Sequence, residues 1–226
     1  MNRTSGVIVA MLVALSLAYA SLAAAQPASV SGCGSLGSGS YILINDISGS
    51  VTCLTLTGNN ITIDLDGFTI TGTGTGAGSG ITDGGTARSN IVIRNGTIRN
   101  FLFGIKLTSS SNIQIDRMRA VSNGASGIEV GNDSSVTNSI ASNNGDIGIT
   151  GFGNILITGN TASGNSFGII VGGGGRSDIL NNTASDNGLT GIEVDCPSNL
   201  VGNTAQGNGQ NLVQNGVGCK KFNNLF

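Results

Sequence analysis

The chain repeats itself about every 22 residues, and no other feature of the sequence constrains its fold so tightly. The dipeptide Gly-Ile recurs at Gly80-Ile81, Gly104-Ile105, Gly127-Ile128, Gly148-Ile149, Gly168-Ile169 and Gly191-Ile192, at intervals of 24, 23, 21, 20 and 23 residues. A second marker, two Asn separated by four residues, stands at Asn95/Asn100, Asn138/Asn143, Asn160/Asn165, Asn182/Asn187 and Asn203/Asn208. Asn123 continues its second column, with Met118 in place of the first Asn. A third marker opens strands as Asn-Ile-x-Ile at Asn60, Asn90 and Asn112, and as Asn-Ile-Leu-Ile at Asn154. Three markers on one period identify an internal repeat rather than a chance pattern.

Each unit alternates aliphatic and polar residues over a few positions, as in Ile91-Val92-Ile93-Arg94 and Ile113-Gln114-Ile115-Asp116, and then breaks at Gly, Asn or Ser. Alternation with period two marks strands, and no stretch carries a helical period. A unit this short cannot bury its own apolar side. It must stack on its neighbours, so that strands of successive units pair in parallel. The expected fold is therefore all-β: a parallel β-helix whose aliphatic columns form a continuous interior. Asn tolerates left-handed backbone at the corners and can form side-chain ladders between turns. That explains the 38 Gly and 26 Asn among 226 residues. A leucine-rich repeat has a similar period, but its Leu-x-x-Leu-x-Leu pattern is missing, and an antiparallel sandwich would show no such register.

The same composition excludes other classes. Aliphatic content is too high and net charge too low for a disordered chain, and two Pro cannot support collagen. Residues 1–25 read as a secretory signal: Arg3 is the positive start, Val7–Leu15 the apolar core, and Ala23-Ala24-Ala25 a small-residue cleavage site. Export into a secreted, periplasmic or extracellular setting after cleavage near Ala25 is expected. Residues 26–49 are expected to form an N-terminal cap, 50–215 a solenoid of about seven rungs, and 216–226 a C-terminal cap or tail. Beyond residue 25 the chain carries nine Lys and Arg against twelve Asp and Glu. That balance gives no footprint for nucleic acid or an anionic membrane surface. No other segment is long enough to span a bilayer. The sequence leaves the oligomeric state open.

The units, together with the opening block Gly39-Ser40-Tyr41-Ile42-Leu43 and the run Asn60–Gly72, resemble the right-handed parallel β-helix proteins of the pectate-lyase-like superfold over residues 50–215. That superfold includes pectin and alginate lyases, polygalacturonases, mannuronan epimerases, phage tailspikes and members without known activity. The resemblance implies the fold much more specifically than it implies an activity.

Four cysteines in an exported chain suggest two disulfides. Cys196 and Cys219 are 23 residues apart and Cys33 and Cys53 are 20 apart, about one turn each. Pairing within each couple places the sulfurs on adjacent turns, whereas Cys53 and Cys196 are more than six rungs apart. A metal site would need the four to converge, and they lie at opposite ends.

Stacking turns sequence columns into outward rows. With Asn60, Asn90 and Asn112 in register, Asp64, Arg94 and Asp116 fall in one row of alternating sign. By the family resemblance, this row imitates a lyase site, with Asp64 and Asp116 as Ca2+ ligands and Arg94 or Lys106 as the base. Read from the residues alone, it is an ion-pair ladder that fixes register. The residues after each Gly-Ile form another row, Thr82, Lys106, Glu129, Thr150, Ile170 and Glu193, in which Lys106 and Glu129 read as a cross-rung pair. Glu129, Glu193 and Asp195 are candidates for binding, the last two for Ca2+ or as an acid/base couple. Phe101, Phe103, Phe152 and Phe167 are the nearest candidates for stacking on sugar rings. The chain has no His, and Tyr41 is its one tyrosine beyond the signal, so general acid–base chemistry has little to draw on.

The expected function is thus a non-catalytic exported β-helix: a carbohydrate-binding, adhesive or envelope/matrix module with a polysaccharide as its partner and no cofactor. The alternative is a Ca2+-assisted lyase or epimerase acting on an acidic, uronic glycan.

Overall fold

The structure, a computed structural model, describes residues 26–226. The expected signal at 1–25 lies outside the described residues. Twenty-five strands and no helix occur among those described, and none of the segments could act as a membrane-crossing helix.

All strand pairing is parallel and joins successive turns of one right-handed coil. Each turn contributes strands to three faces. On the first face Ile61–Asp64 pairs with the start of Ser89–Arg99, and that in turn with Ser111–Val121, Ser134–Thr137 and Ile155–Thr158. The chain then bends and runs along the second face, for example in Ile140–Ser142, Thr161–Ser163 and Thr183–Ser185. The third face is a sheet of nine strands carrying the Gly-Ile column. Nine turns at about 4.8 Å give a stack roughly 43 Å long. The count exceeds seven because the coil extends beyond 50–215. Ala28–Val30 already pairs with Gly39–Leu43, and Lys220–Phe222 pairs with Asn199–Val201.

The interior is the set of aliphatic columns that the alternation predicts. Ile63, Ile93, Ile115, Val136, Ile157, Ile179 and Leu200 stack with no solvent exposure, as do Ile81, Ile105, Ile128, Ile149, Ile169 and Ile192. On the second face the inward column changes from Ile70 and Ile98 to Ala120, Ala141, Ala162, Ala184 and Ala205. The Gly of Gly-Ile faces this column across the interior. A Cβ on Gly148 would stand 2.6 Å from the Gly168 carbonyl oxygen, 2.8 Å from Asn165 Nδ2 and 3.1 Å from Ala162 Cβ. The next turn's carbonyl and the buried amide approach so closely there that only Gly fits, whether Ala stands opposite or, at Gly80, Ile98.

The Asn markers resolve into three kinds of column. One ladder is buried: Asn123, Asn144, Asn165 and Asn187 pass hydrogen bonds from Nδ2 to the next Oδ1 at 2.9–3.1 Å, ending on Asn208. A second buried ladder runs Asn160, Asn182, Asn203, Asn224. The residue before each rung of these ladders holds left-handed backbone, as at Ser122, Asn143, Asn181, Asp186 and Asn223, or is Gly, as at Gly159, Gly164, Gly202 and Gly207. The Asn-x4-Asn spacing therefore straddles two columns: Asn95, Asn100, Asn138 and Asn143 are bend residues, whereas Asn160 and Asn165 are ladder residues. The third kind is the exposed Asn60–Asn90–Asn112 column, again linked by side-chain hydrogen bonds.

Both disulfides form as the spacing predicts, Cys33–Cys53 and Cys196–Cys219, with Cα–Cα separations of 4.5 and 4.9 Å. Each ties neighbouring turns near one end of the coil.

Candidate functional site

Asp64, Arg94 and Asp116 occupy one outward row of the first face, each directly across from the next. The row is only half an ion-pair ladder. Arg94 Nε donates to Asp64 Oδ2 at 2.8 Å, whereas Asp116 turns to its own neighbour Arg117, also at 2.8 Å. Partial burial pushes the Asp64 carboxyl upward. Hydrogen bonds from the Asp66 backbone, Asn95 and Arg94 outweigh that and hold it below the usual carboxylate range. For Asp116 the same upward push is outweighed by Thr137, Asn138 and Arg117. Both groups are thus held ionised by protein donors. A cation between them would compete with Arg94, which stands in the intervening position.

On the third face the row Thr82, Lys106, Glu129, Thr150, Ile170 and Glu193 is in register throughout. Lys106 does not pair with Glu129. Its Nζ instead sits 3.7 Å from the centroid of the Phe103 ring, where the ring face attracts the cation. Glu129 is 9% exposed. Glu193 accepts from Asn215 Nδ2, and Asp195 Oδ2 accepts from the backbone N–H groups of Gly173 and Gly174. These two carboxylates flank Val194 but serve different neighbours. Arg94 and Lys106 project from different faces, so no single site holds both. Of the aromatics, Phe101 is buried, Phe103 and Phe167 are half-buried on the third face, and Phe152 is exposed. No group of three or more His, Cys, Asp or Glu assembles among the described residues.

A different feature gathers more polar chemistry. Along the first face, beside the exposed Asn column, a channel opens as two depressions of about 320 and 300 Å3. The first is lined by Asn112, Gln114, Asp133, Asn154, Leu156, Arg176 and Asp178, among others. The second continues through Arg176, Asp178, Asn199 and Lys220. Strand pairing places these residues in two adjacent columns. Asp133 and Asn154 immediately precede the paired Ser134 and Ile155, and Leu156, Asp178, Asn199 and Lys220 succeed one another. Asp133 Oδ1 accepts from Asn154 Nδ2 at 3.1 Å, and Asp178 Oδ1 from Asn199 Nδ2 at 2.7 Å.

Sequence reasoning missed Asp133, Arg176 and Asp178. The signal was present: extending the column Asn60, Asn90, Asn112 by one period reaches Asp133, then Asn154, then Arg176. Two charged residues standing in an amide column mark the place.

A parallel coil with polar outward rows and end staples defines a β-solenoid, and the comparisons with known proteins agree. The model for the right handed beta helix region matches residues 79–225, and the chain belongs to that family. Among solved structures it is similar to the mannuronan C-5 epimerase AlgE4 A-module of Azotobacter vinelandii. That match has a TM-score of 0.69 and 18% identity, over 85% of this chain and 63% of that one. It is also similar to ORF18 of Geobacillus virus E2, with a TM-score of 0.54 and 15% identity, over 77% of this chain and 47% of the other. The chain thus spans less than two thirds of the length of either structure, and at these identities the likeness is one of fold. No curated protein matches the sequence.

Proposed function

We propose that the protein is an exported, non-catalytic polysaccharide-binding β-helix. The observation that carries this reading is the linear polar channel of the first face. Its two depressions share Arg176 and Asp178 and are lined by amides, hydroxyls, charges and the aliphatic Leu156, an elongated surface that suits an extended sugar chain better than a compact substrate. The two disulfides favour an oxidising compartment. Two features speak against acid–base chemistry. Asp64 and Asp116 are held ionised, whereas a general acid at neutral pH needs a raised pKa. The chain also lacks His altogether, and the Tyr41 hydroxyl donates to the Gly37 carbonyl.

Affinity electrophoresis of the protein through gels carrying different polysaccharides tests the reading. Retardation by at least one is expected; unchanged mobility in every gel contradicts it. The competing reading, a Ca2+-assisted lyase or epimerase, draws on the register of Asp64, Arg94 and Asp116. It predicts new unsaturated or epimerised uronate residues, lost on Arg94→Ala.

A further inference from the structure

Two carboxylates are buried among the described residues, Asp83 and Glu129, and the fold treats them oppositely. Asp83 accepts from the backbone N–H groups of Gly85 and Ser109 and from the Ser110 hydroxyl. Glu129, 9% exposed, accepts no hydrogen bond and joins no ion pair among the described residues. A buried carboxylate without donors is destabilising. Nor is Glu129 an interior residue: alternation along Ile128–Val130 turns it outward, onto the third face. Thr150, directly across on the next turn, is 3% exposed, and its hydroxyl likewise makes no hydrogen bond among the described residues. Two residues along the same strand, Phe152 is exposed and within diagonal reach of Glu129. A Cβ on Gly172, which pairs with Phe152, would stand 3.8 Å from both Phe152 Cδ1 and Asp195 Oδ2. Ring and carboxylate thus flank a bare glycine floor. The face is acidic: Glu129, Glu193 and Asp195 stand against Lys106, whose ammonium is drawn onto Phe103.

We propose that the third face binds a polysaccharide of amino sugars, with Glu129 receiving a protonated amine and Phe152 stacking against the sugar ring. This is a second site, on a different face from the channel, and it carries a charge class that the channel does not. An ammonium supplies Glu129 with the charged donor it lacks. The acidic balance of the face attracts that cation and disfavours uronate or sulfate groups. The Phe152 ring adds attraction for the cation and apolar contact. A lone ammonium would satisfy Glu129 but leave the ring and the Gly172 floor unused, whereas a sugar ring lies flat on both. From Glu129 the coil passes through Phe152 to Gly172, so the floor beside Asp195 lies two turns on, roughly 10 Å. Asp195 commits Oδ2 to the Gly173 and Gly174 N–H groups and keeps Oδ1 for an amine further along the same chain.

Isothermal titration with three probes tests the proposal: a glucosamine tetramer, its N-acetylated counterpart and tetralysine. Mildly acidic buffer keeps the amines charged and the carboxylates ionised. The glucosamine tetramer is expected to bind tightest, and more weakly as salt is raised. Glu129→Gln is expected to weaken that binding about tenfold or more, while its unfolding temperature stays level or rises because an unpaired buried charge is removed. Phe152→Ala should weaken it about threefold, and Asp66→Asn, at an exposed carboxylate away from the third face, should leave it unchanged. Undiminished binding by Glu129→Gln overturns the proposal, as does equal affinity for the N-acetylated tetramer or no binding of the glucosamine tetramer. Tetralysine binding as tightly, with the same loss on Glu129→Gln, overturns it in favour of a cationic peptide. Each of these results leaves the first-face reading standing, which the retardation of Glu129→Gln in the polysaccharide gels tests separately.

Discussion

At the residue scale, the buried amides hold more of the structure than their number suggests. Asn165 donates through Nδ2 to the Ala141 carbonyl and to Asn187 Oδ1, and accepts at Oδ1 from the Asn144 backbone and side chain. Removing it leaves several buried groups unpaired at once, each with a desolvation penalty. Asn165→Ala is expected to destabilise by about 2–4 kcal/mol in urea titration, whereas Asn45→Ala, on an exposed side chain, should be nearly silent. Asp64 gives a pH signature. Its folded pKa lies below the unfolded value of about 3.9, so its stabilising effect is complete above that value and fades as pH falls through the folded one. Its partner Arg94 is 44% exposed, which limits the effect to about 1 kcal/mol or less. Asp64→Asn should therefore flatten the acid limb of the stability curve below about pH 4 and leave the acid limit itself nearly unchanged.

At the scale of the strand and corner, the repeat made the inward columns legible and blurred the corners. Gly-Ile gave the register of six of the nine strands of the third face, because an inward Ile and a close-packed Gly leave no alternative residue type. The corners were read less well. A bend residue and the ladder residue after it are adjacent and both favour Asn, so Asn138/Asn143 and Asn160/Asn165 look alike in sequence while pointing differently. The expected Lys106–Glu129 pair failed for a related reason: register placed the two side by side, but Phe103 offers Lys106 a nearer partner, and strand spacing cannot rank the two. The Gly column supplies a sharp test. Gly168→Ala drives a Cβ into the Gly191 carbonyl oxygen and is expected to cost about 1–3 kcal/mol. Gly76→Ala meets nothing within 4 Å and should change stability by less than about 0.5 kcal/mol. Thermal unfolding of the two variants distinguishes them.

At the scale of the whole molecule, each turn touches only its neighbours, so stability passes along the coil one interface at a time and the ends are its weakest points. The disulfides sit there. Removing Cys196–Cys219 with paired Ser substitutions is expected to speed amide exchange in Gln210–Phe222 while Ser111–Thr158 keeps its protection; uniform loss along the chain would contradict stacking of nearly independent turns. The same division of labour governs function. Interior columns and corners consume most of the described residues, and the outward rows that remain hold ion pairs, amide contacts and the depressions of the first face. Function was therefore less legible than fold: the row of Asp64, Arg94 and Asp116 drew attention because its charges alternate, whereas Arg176 lies at the far end of an amide column whose spacing has to be extended by three turns to reach it. The most direct test is proton NMR of a uronic polymer incubated with the protein and Ca2+. Line broadening of the polymer signals without new resonances is expected, as for binding without turnover. The appearance of olefinic protons or inverted C-5 signals, abolished by Arg94→Ala, would contradict it.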